Sequence, residues 1–246
     1  SLCKRKGFVF PNSEIYGGLK ASYDYGPLGV ELKKSISDKW WNEMTQNSNI
    51  VGLDSSIMVH PDVWEASGHI ANFNDPMTDN KDNKKRYRID DLLTQQKDKV
   101  IGALCEKLSI ENNNDNDTID KISHILLEES DKYSDALESA GVLDPFSGSI
   151  GKWTQATQFN LMFKTNAGPS EKTGKSIYLR PETAQGIYIN YLLVQNSMRL
   201  KVPFGIAQIG KAFRNEIIAR NFIFRTREFE QMEMQYFVHP SKDVES

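Results

Sequence analysis

Two neighbouring segments, residues 206–216 and 224–238, constrain the fold more than any other part of the chain. Both are rich in Ile, Phe, Tyr and Met, and in both the residue character alternates. Alternation places residues i and i+2 on the same face of a β-strand. The link between them, residues 217–223, is short enough for an antiparallel connection. The sequence therefore predicts a long β-hairpin with a mobile tip.

One predicted face of this hairpin combines arginines, an aromatic ring, amides and carboxylates. Its members are Gln208, Arg214 and Glu216 on the first strand, and Arg225, Arg227, Phe229, Gln231 and Glu233 on the second. Such a face is a poor hydrophobic core, but it suits a ligand with phosphates, a flat base and an amine. A solvated sheet face with cross-strand ion pairs is the alternative, and alternation alone does not decide between them.

Composition excludes several classes of protein. The 246 residues are enough for one large domain, or for one domain with an insertion. A net charge of −3 gives no global signal for nucleic-acid binding, so any such contact must come from a local patch. Cys3 and Cys105 are far apart and form no metal-binding pattern, which favours a reducing cytoplasm. The sequence contains no signal peptide and no apolar run of membrane-spanning length.

Several other elements are predicted from periodicity. Apolar residues at helical spacing predict an amphipathic helix over 29–46, and a strand is predicted over 51–59 before Pro61. Helical patterns over 91–109 and 119–140 flank a polar tract and suggest a helical insertion in an otherwise mixed domain.

The segment Tyr178 to Gly186 predicts a strand that turns into a helix. Pro181 fits the first helical position, where no N–H is needed. Glu182 would then lie in the first turn, where the helix dipole favours an ionised carboxylate. On pattern alone, Glu182 is either a surface residue that stabilises the dipole or a functional group.

The segment 64–69, Trp-Glu-Ala-Ser-Gly-His, places Glu65, Ser67 and His69 close together in sequence. A hydrolase triad is one interpretation. However, alternate positions do not by themselves create a hydrogen bond between nucleophile and base, and the chain has no nucleophile elbow. We therefore do not predict a hydrolytic site there.

Four stretches of the chain together resemble the homodimeric glycyl-tRNA synthetases, a family of class II aminoacyl-tRNA synthetases. They are GFVFP with SEIYGG and DYGPLGVELK near the start, WEASGH, YLRPETAQGI, and GKAFRNE with FRTREFEQMEM. The resemblance implies an α+β fold, with an antiparallel sheet flanked by helices and a helical insertion. It also implies that the helix at 29–46 and the strand ending at Pro61 form motif 1, the dimer interface. Phe213 to Glu216 and the following strand resemble motif 2.

The resemblance implies a catalytic core over residues 1–90 and 142–246, interrupted by the insertion at 91–141. Many bacterial members carry a Cys-x-x-Cys pair where this chain has Asn80 and Asn83, so no zinc is predicted. The arginine-bearing helix of motif 3 and the anticodon-binding domain have no counterpart here. We therefore expect an N-terminal catalytic-core fragment with weak or no activity alone.

The implied activity is glycine–tRNA ligation. ATP, accompanied by Mg²⁺, would activate glycine to glycyl-adenylate, and the glycyl group would pass to tRNA(Gly). By resemblance, Arg214 is the catalytic residue, bridging the α-phosphate and the glycine carboxylate. The residues implied to contact ATP are Arg214, Asn215, Glu216, Phe224, Arg225 and Phe229. Those implied to contact glycine are Arg88, Glu182, Gln231 and Glu233.

The implied partners are therefore glycine, ATP, tRNA(Gly) and a second copy of the chain, in the cytoplasm and without a membrane. A non-catalytic binding or accessory subunit built on the same core is the alternative, and a scaffold fragment without a ligand site is a third. The presence of Arg214, Glu216, Phe229, Glu182 and Glu233 together argues against the accessory subunit, because a pure binding subunit has no use for that set.

Overall fold

A computed structural model describes residues 2–168, 175–216 and 222–242 of the chain. The chain divides into two compact units, and each is described by itself. The first unit comprises residues 1–72 and 161–246, and the second comprises residues 73–160. Both combine helices with mainly antiparallel strands, which confirms the predicted α+β class.

The described helices, in chain order, are α1 (Leu2–Arg5), α2 (Pro27–Thr45), α3 (Pro61–Ala66), α4 (His69–Asn72), α5 (Ile89–Leu108), α6 (Asn116–Glu128), α7 (Ala136–Ser139) and α8 (Ala184–Met198). The described strands are β1 (Val9–Pro11), β2 (Tyr23–Tyr25), β3 (Ile50–Gly52), β4 (Met58–Val59), β5 (Asn74–Asp79), β6 (Arg86–Arg88), β7 (Thr157–Asn160), β8 (Lys164–Ala167), β9 (Lys175–Leu179), β10 (Phe204–Phe213) and β11 (Glu228–Phe237).

The predicted hairpin is confirmed as the antiparallel pair β10 and β11. Its register runs from Phe204 opposite Phe237 to Phe213 opposite Glu228, and β3 adds to β10 in parallel. Both strands are shorter than predicted, because the backbone at the open end bonds elsewhere. The amide of Asn215 donates to the carbonyl of Leu161, and that of Arg227 donates to Ala21.

This shortening corrects the placement of four predicted site residues. Arg214, Glu216, Arg225 and Arg227 lie beyond the ends of the described strands, although the amide of Arg214 still donates to the carbonyl of Arg227. The rest of the predicted link, residues 217–221, lies outside the described residues, and Phe222–Phe224 forms a 3-10 turn.

Helix α8 packs on β10 through an apolar and aromatic cluster. Ile187 of α8 and Phe204 and Ile206 of β10 are fully buried. The ring of Tyr191 stacks on that of Phe204, with centroids 5.3 Å apart and an interplanar angle of 22°. Stacked aromatic contacts of this kind add to the free energy of apolar burial. The packing holds α8, and the turn before it, against the hairpin.

Two predicted elements near this core have wrong boundaries. The strand predicted over 51–59 is two strands, β3 and β4, because Ser55 between them turns its amide to a side chain of β10. Helix α8 begins at Ala184 with Thr183 as its N-cap residue, so Pro181 is not at the first helical position. Glu182 consequently precedes the helix, and its carboxylate is not explained by the helix dipole.

The first-unit helix α2 matches the prediction of 29–46 to within two residues, with Pro27 at its first turn. Of its residues only Gly29 is buried, and Leu28, Val30, Leu32 and Ile36 are about half exposed. Leu28, Leu32 and Ile36, spaced four residues apart, therefore form one apolar stripe that stays largely open to solvent.

The second unit packs two helices on a three-stranded sheet. Strand β5 pairs with β6 and β7, all antiparallel, and α5 and α6 supply most of the buried core. The helix predicted over 91–109 is confirmed as α5. The helix predicted over 119–140 is wrong, because α6 ends at Glu128 and α7 starts at Ala136. The predicted insertion lies within this unit, which also includes the strands on either side of it.

Candidate active site

One face of the hairpin carries the predicted polar residues. Residues directly opposite in an antiparallel pair point to the same side of the sheet. Gln208 lies opposite Glu233, Gly210 opposite Gln231, and Ala212 opposite Phe229. This shared face, which we call the hairpin face, therefore presents two amides, one carboxylate and one ring.

Thr183 connects the hairpin face to the turn before α8. Its amide donates to Oε1 of Gln231 at 3.1 Å, and its hydroxyl donates to the carboxylate of Glu233. Its carbonyl accepts from Nε2 of Gln208 at 3.1 Å. Thr183 is completely buried. Every polar group of this residue is thus used to hold residues 180–183 on the hairpin face.

Gln208 is a buried amide whose two ends are both satisfied. Its Oε1 accepts from the amide and the hydroxyl of Ser55, each at 2.7 Å. A buried polar group costs free energy unless it is hydrogen-bonded, so this arrangement specifies one geometry. Gly186 allows the close approach, because a Cβ there would lie 2.0 Å from Oγ of Ser55.

Arg180 lies against the hairpin face next to Gly210. It is 2% exposed, and it donates from Nε to the carbonyl of Lys211 and from Nη1 to that of Ser55, both at 2.7 Å. Burial lowers the pKa of Arg180, while the negative charge of Asp54 acts in the opposite direction. Because its donors are directed at backbone carbonyls, Arg180 is a structural group and not a candidate ligand contact.

Arg214 and Phe229, the predicted catalytic arginine and the predicted base-stacking ring, are in contact. The guanidinium carbon of Arg214 lies 5.2 Å from the ring centroid, within the range of a cation–π interaction. Nε of Arg214 donates to the carbonyl of Pro181 at 3.1 Å. The arginine is thereby fixed beside the turn that carries Glu182.

Two other predicted ATP contacts are paired with each other. Nε of Arg225 lies 2.9 Å from Oε2 of Glu216, and the Glu216 carbonyl accepts from Nε of Arg227 at 3.0 Å. Glu216 is 8% exposed, so its carboxylate is screened little by solvent. Asn215 is half-buried, whereas Phe224 is exposed.

Glu182, in the turn before α8, contacts His69. Nε2 of His69 lies 3.3 Å from Oε1 of Glu182, and Nδ1 of His69 lies 2.9 Å from Oγ of Ser67. Sequence reasoning considered Ser67 and His69 only with Glu65. The contact with Glu182 joins segments far apart in the chain, and no spacing within 64–69 could have indicated it.

Glu182 and Glu233 converge on one side chain of α8. Burial raises the pKa of the Tyr188 hydroxyl, and the negative charges of Glu233 and Glu182 raise it further. Both carboxylates are therefore close enough to Tyr188, in the second turn of α8, for their charges to act on its hydroxyl. Two negative charges near the same point favour a nearby cation.

Arg88 belongs to the second unit. Its guanidinium pairs with Asp90 and, at 3.2 Å, with Asp75. The hydrogen bond to Asp90 raises the pKa of Arg88, and the charges of Asp90 and Asp75 add to this. Its contact with glycine stays a prediction.

The positions predicted to lack zinc lie in a hydrogen-bonded cluster of the second unit. Asp144 is fully buried and accepts from Nδ2 of Asn83 at 2.7 Å, from the Tyr87 hydroxyl at 2.5 Å, and from the amides of Phe146 and Ser147. Burial alone would raise the pKa of Asp144, but the donated hydrogen bonds outweigh it and hold the pKa below its usual value. No group of three or more His, Cys, Asp or Glu in the described ranges is arranged to hold a metal ion.

Comparison with known proteins finds a family match over the last third of the chain. Residues 163–246, which include α8 and the hairpin, match the family model of the tRNA synthetase class II core domain (G, H, P, S and T). The turn before α8 and the hairpin therefore lie inside the part of the chain that is similar to that core.

The curated relatives are more particular. The chain is 50% identical to the Glycine--tRNA ligase of Thermus thermophilus over 99% of its own length and 47% of that protein. It is 51% identical to the Glycine--tRNA ligase of Chlorobaculum tepidum over all of its length and 52% of that protein. The chain thus spans about half the length of these relatives.

Among solved structures, the RNA binding domain of threonyl-tRNA synthetase from Cryptosporidium parvum aligns with 98% of this chain and 37% of its own, at 16% identity and a TM-score of 0.48. A search of the described helices for a membrane span finds none of sufficient length and hydrophobicity.

The structure thus brings Arg214, Phe229, Gln231, Glu233 and Glu182 to one face of the first unit. Glu216 and Arg225 lie together at the open end of the hairpin. The sequence placed Gln208 on this face, but its reading missed Thr183 and the contact of His69 with Glu182. A threonine before a helix was the only signal for Thr183, and it does not indicate the partners.

Proposed function

We propose that the chain is the catalytic-core part of a glycine–tRNA ligase, which activates glycine with ATP and transfers it to tRNA(Gly). The observation that carries this proposal is the polarity of the hairpin face around Thr183. Arg214 and Phe229 are in contact beside this face, Glu233 lies farther along β11, and Glu182 precedes Thr183 in the turn before α8. Glycine has a carboxylate and an ammonium, and both have a complementary partner on this face.

In the first step, an oxygen of the glycine carboxylate attacks the α-phosphorus of ATP. A new O–P bond forms, the bond from the α-phosphorus to the bridging oxygen breaks, and pyrophosphate leaves. Arg214 can contact both anions because its planar group has several fixed donors and stays charged. The protein's contribution is orientation and stabilisation of negative charge in the transition state.

The ammonium of glycine would lie between Glu182 and Glu233, with Gln231 beside it. Both oxygens of Glu233 already accept hydrogen bonds, one from Thr183 and one from Gln235 at 2.5 Å. Each keeps a lone pair, so the carboxylate is fixed in place without losing its capacity to accept. Selectivity for glycine would come from leaving no room for a side chain, because a bulkier amino acid would clash.

The adenine of ATP would stack on Phe229, with Glu216 and Asn215 at its edge, and with Phe224 and Arg225 toward the phosphates. Mg²⁺ enters as the counter-ion of the phosphates and thus as part of the substrate. The ion pair between Glu216 and Arg225 would have to open before Glu216 could contact the adenine and Arg225 the phosphates. ATP provides both residues with a replacement partner, because its adenine amine can donate to Glu216 and its triphosphate can accept from Arg225.

In the second step, a hydroxyl of the terminal adenosine of tRNA attacks the glycyl carbonyl, and AMP leaves.

The half-exposed apolar stripe of α2 supports a homodimer through motif 1, since such a stripe favours an interface. We place the protein in the cytoplasm. By resemblance, Arg88 would also contact the glycine. A zinc ion at Asn80 and Asn83 is not part of the proposal.

Glycine-dependent exchange of pyrophosphate into ATP by the intact protein tests this function. We expect exchange with glycine and little with alanine or serine, which differ by a side chain only. Absence of exchange with glycine under conditions where the protein is folded would contradict the proposal. It would then favour the alternative, a non-catalytic binding or accessory subunit on the same core.

A further inference from the structure

The contact between His69 and Glu182 has no role in the activity as proposed so far. His69 begins α4, directly after the turn that follows α3, and Ser67 lies in that turn. Only 14% of the His69 side chain is exposed, against 31% for Glu182. Trp64, which is fully buried, packs against the imidazole edge-on, with centroids 5.3 Å apart. The ring is thus held from two sides.

The contacts with Glu182 and Ser67 indicate where the proton of the ring lies. An ionised carboxylate can only accept, so the tautomer that donates to Oε1 of Glu182 carries its hydrogen on Nε2. Nδ1 of the neutral ring then has a lone pair for the hydroxyl of Ser67, 2.9 Å away, and the carbonyl of Trp64, 3.4 Å from Oγ of Ser67, is the longer alternative acceptor. A Ser67 hydroxyl that donates to Nδ1 favours the tautomer that donates to Glu182.

Glu182 needs such support more than Glu233 does. Glu233 lies in β11 and is bound by Thr183 and Gln235. Glu182 precedes α8, outside any helix or strand, and a glutamate side chain has several rotatable bonds. A contact to one oxygen restricts these bonds and leaves the other oxygen to accept from a substrate.

We propose that His69 is a positioning residue that orients Glu182 for the ammonium of glycine, with Ser67 selecting the required tautomer. This inference rests on the proposed function, because it assigns a purpose to Glu182 within that function. His69 itself does not need to touch glycine or ATP. The segment containing Ser67 and His69 is thereby a support of the amino-acid site and not a hydrolytic site.

A matched pair of substitutions separates donation from packing. In H69Q the side-chain amide nitrogen can reach the former position of Nε2 and donate to Glu182. In H69N the shorter amide reaches only the position of Nδ1. We expect H69N to raise the KM for glycine about tenfold, the usual effect of losing a hydrogen bond to a charged group. The KM for ATP should change less than about twofold, and H69Q should recover most of the loss.

Three outcomes would overturn the proposal. One is an unchanged KM for glycine in H69N. Another is an equal loss in H69Q and H69N, which would point to ring packing. The third is an equal rise in both KM values, which would point to general distortion. In an E182Q background, H69N should raise the KM for glycine much less than it does in the parent. The reason is that the carboxylate to be oriented has already been replaced.

A spectroscopic measurement distinguishes failure of this inference from failure of the proposed function. Nitrogen-15 spectra of the histidine rings in the intact protein should show His69 with its proton on Nε2, and E182Q should shift that resonance. A neutral ring protonated on Nδ1 would contradict the inference even if glycine is activated. Absence of glycine-dependent exchange in the parent, with the expected spectrum, would contradict the function alone.

Discussion

The guanidinium of Arg214 lies over the ring of Phe229, 5.2 Å from its centroid, while its Nε donates to the carbonyl of Pro181. These two contacts connect the end of β10 both to the start of β11 and to the turn before α8. The arginine proposed for the α-phosphate is therefore oriented by the ring proposed for the base. Substitutions of the two residues should differ in which kinetic constant they change.

Replacing Arg214 by alanine should lower glycine-dependent pyrophosphate exchange by a factor of about one hundred or more, the usual loss for a charge contact in the transition state. Lys211→Ala is the matched control, because Lys211 is an exposed cation of the same strand that pairs with Glu228. The control should stay near the parent rate. An R214A variant within a few-fold of the parent would refute the role of Arg214.

Phe229→Ala should mainly raise the KM for ATP, by about tenfold, because stacking of a base on an aromatic ring is worth roughly 1–3 kcal/mol. Phe229→Tyr keeps the ring and should stay close to the parent. Steady-state exchange kinetics with ATP and glycine varied separately provide the comparison. A change confined to the KM for glycine would count against the assignment.

Gly210→Ala should destabilise the protein, because the new Cβ would lie 2.2 Å from Nη2 of Arg180. That guanidinium cannot move freely, since it is buried and bonded to the carbonyls of Lys211 and Ser55. Overpacking of this kind typically costs about 1–3 kcal/mol of the free energy of unfolding. Chemical denaturation measures it.

Gly102→Ala is the matched control for that experiment. Gly102 lies inside α5, and the nearest atom to its added Cβ is 3.8 Å away. Alanine in a helix interior is more stable than glycine by roughly 0.5–1 kcal/mol, so this substitution should stabilise the protein. Equal effects of G210A and G102A would contradict the close packing of Arg180.

Asp144→Ala should destabilise the second unit by about 1–3 kcal/mol, because the buried donors of Asn83 and Tyr87 lose their acceptor. Asp82→Asn is the control in the same unit, since Asp82 is exposed and only 3.6 Å from Lys152. The D82N substitution should leave the free energy of unfolding nearly unchanged. Denaturant unfolding of both variants, followed by a probe in the second unit, makes the comparison.

The pH dependence of this effect has a defined sign. The pKa of Asp144 is lower in the folded protein than its ordinary value of about 4. Its ionised form therefore stabilises the folded state fully above that ordinary pKa, and the contribution is lost as pH falls through the lower, folded value. The stability difference between parent and D144A should shrink over that acid range. A difference that grows with acidification would contradict the hydrogen-bonded carboxylate.

Period-two alternation predicted the hairpin and the face shared by Phe229, Gln231 and Glu233, because side-chain direction in a strand is a local property of the backbone. The same alternation placed Arg214 and Glu216 inside the strand, which is wrong. Their departure from the ladder depends on the carbonyls of Leu161 and Ala21, which compete for the backbone amides of Asn215 and Arg227. Local periodicity contains no information on such competitors.

Helical spacing likewise predicted α2 and α5 closely, because each has a continuous apolar stripe. The start of α8 was misplaced, although Pro181 is well suited to a first turn. The carbonyl of Pro181 accepts from Arg214, and both backbone groups of Thr183 bond to side chains of the hairpin. These contacts stabilise a non-helical turn at Glu182.

By itself, then, the sequence determined the α+β class, the paired strands, the main helices and the residue types of a face suited to glycine and ATP. Each of these depends on neighbours a few residues away or on the resemblance of whole motifs. Only the tertiary structure decided that Glu182 contacts His69, that Thr183 joins Glu233 to Gln231, and that Glu216 pairs with Arg225. The physical reason is that directed hydrogen bonds and charge pairs act at short distance in space, whatever the separation along the chain.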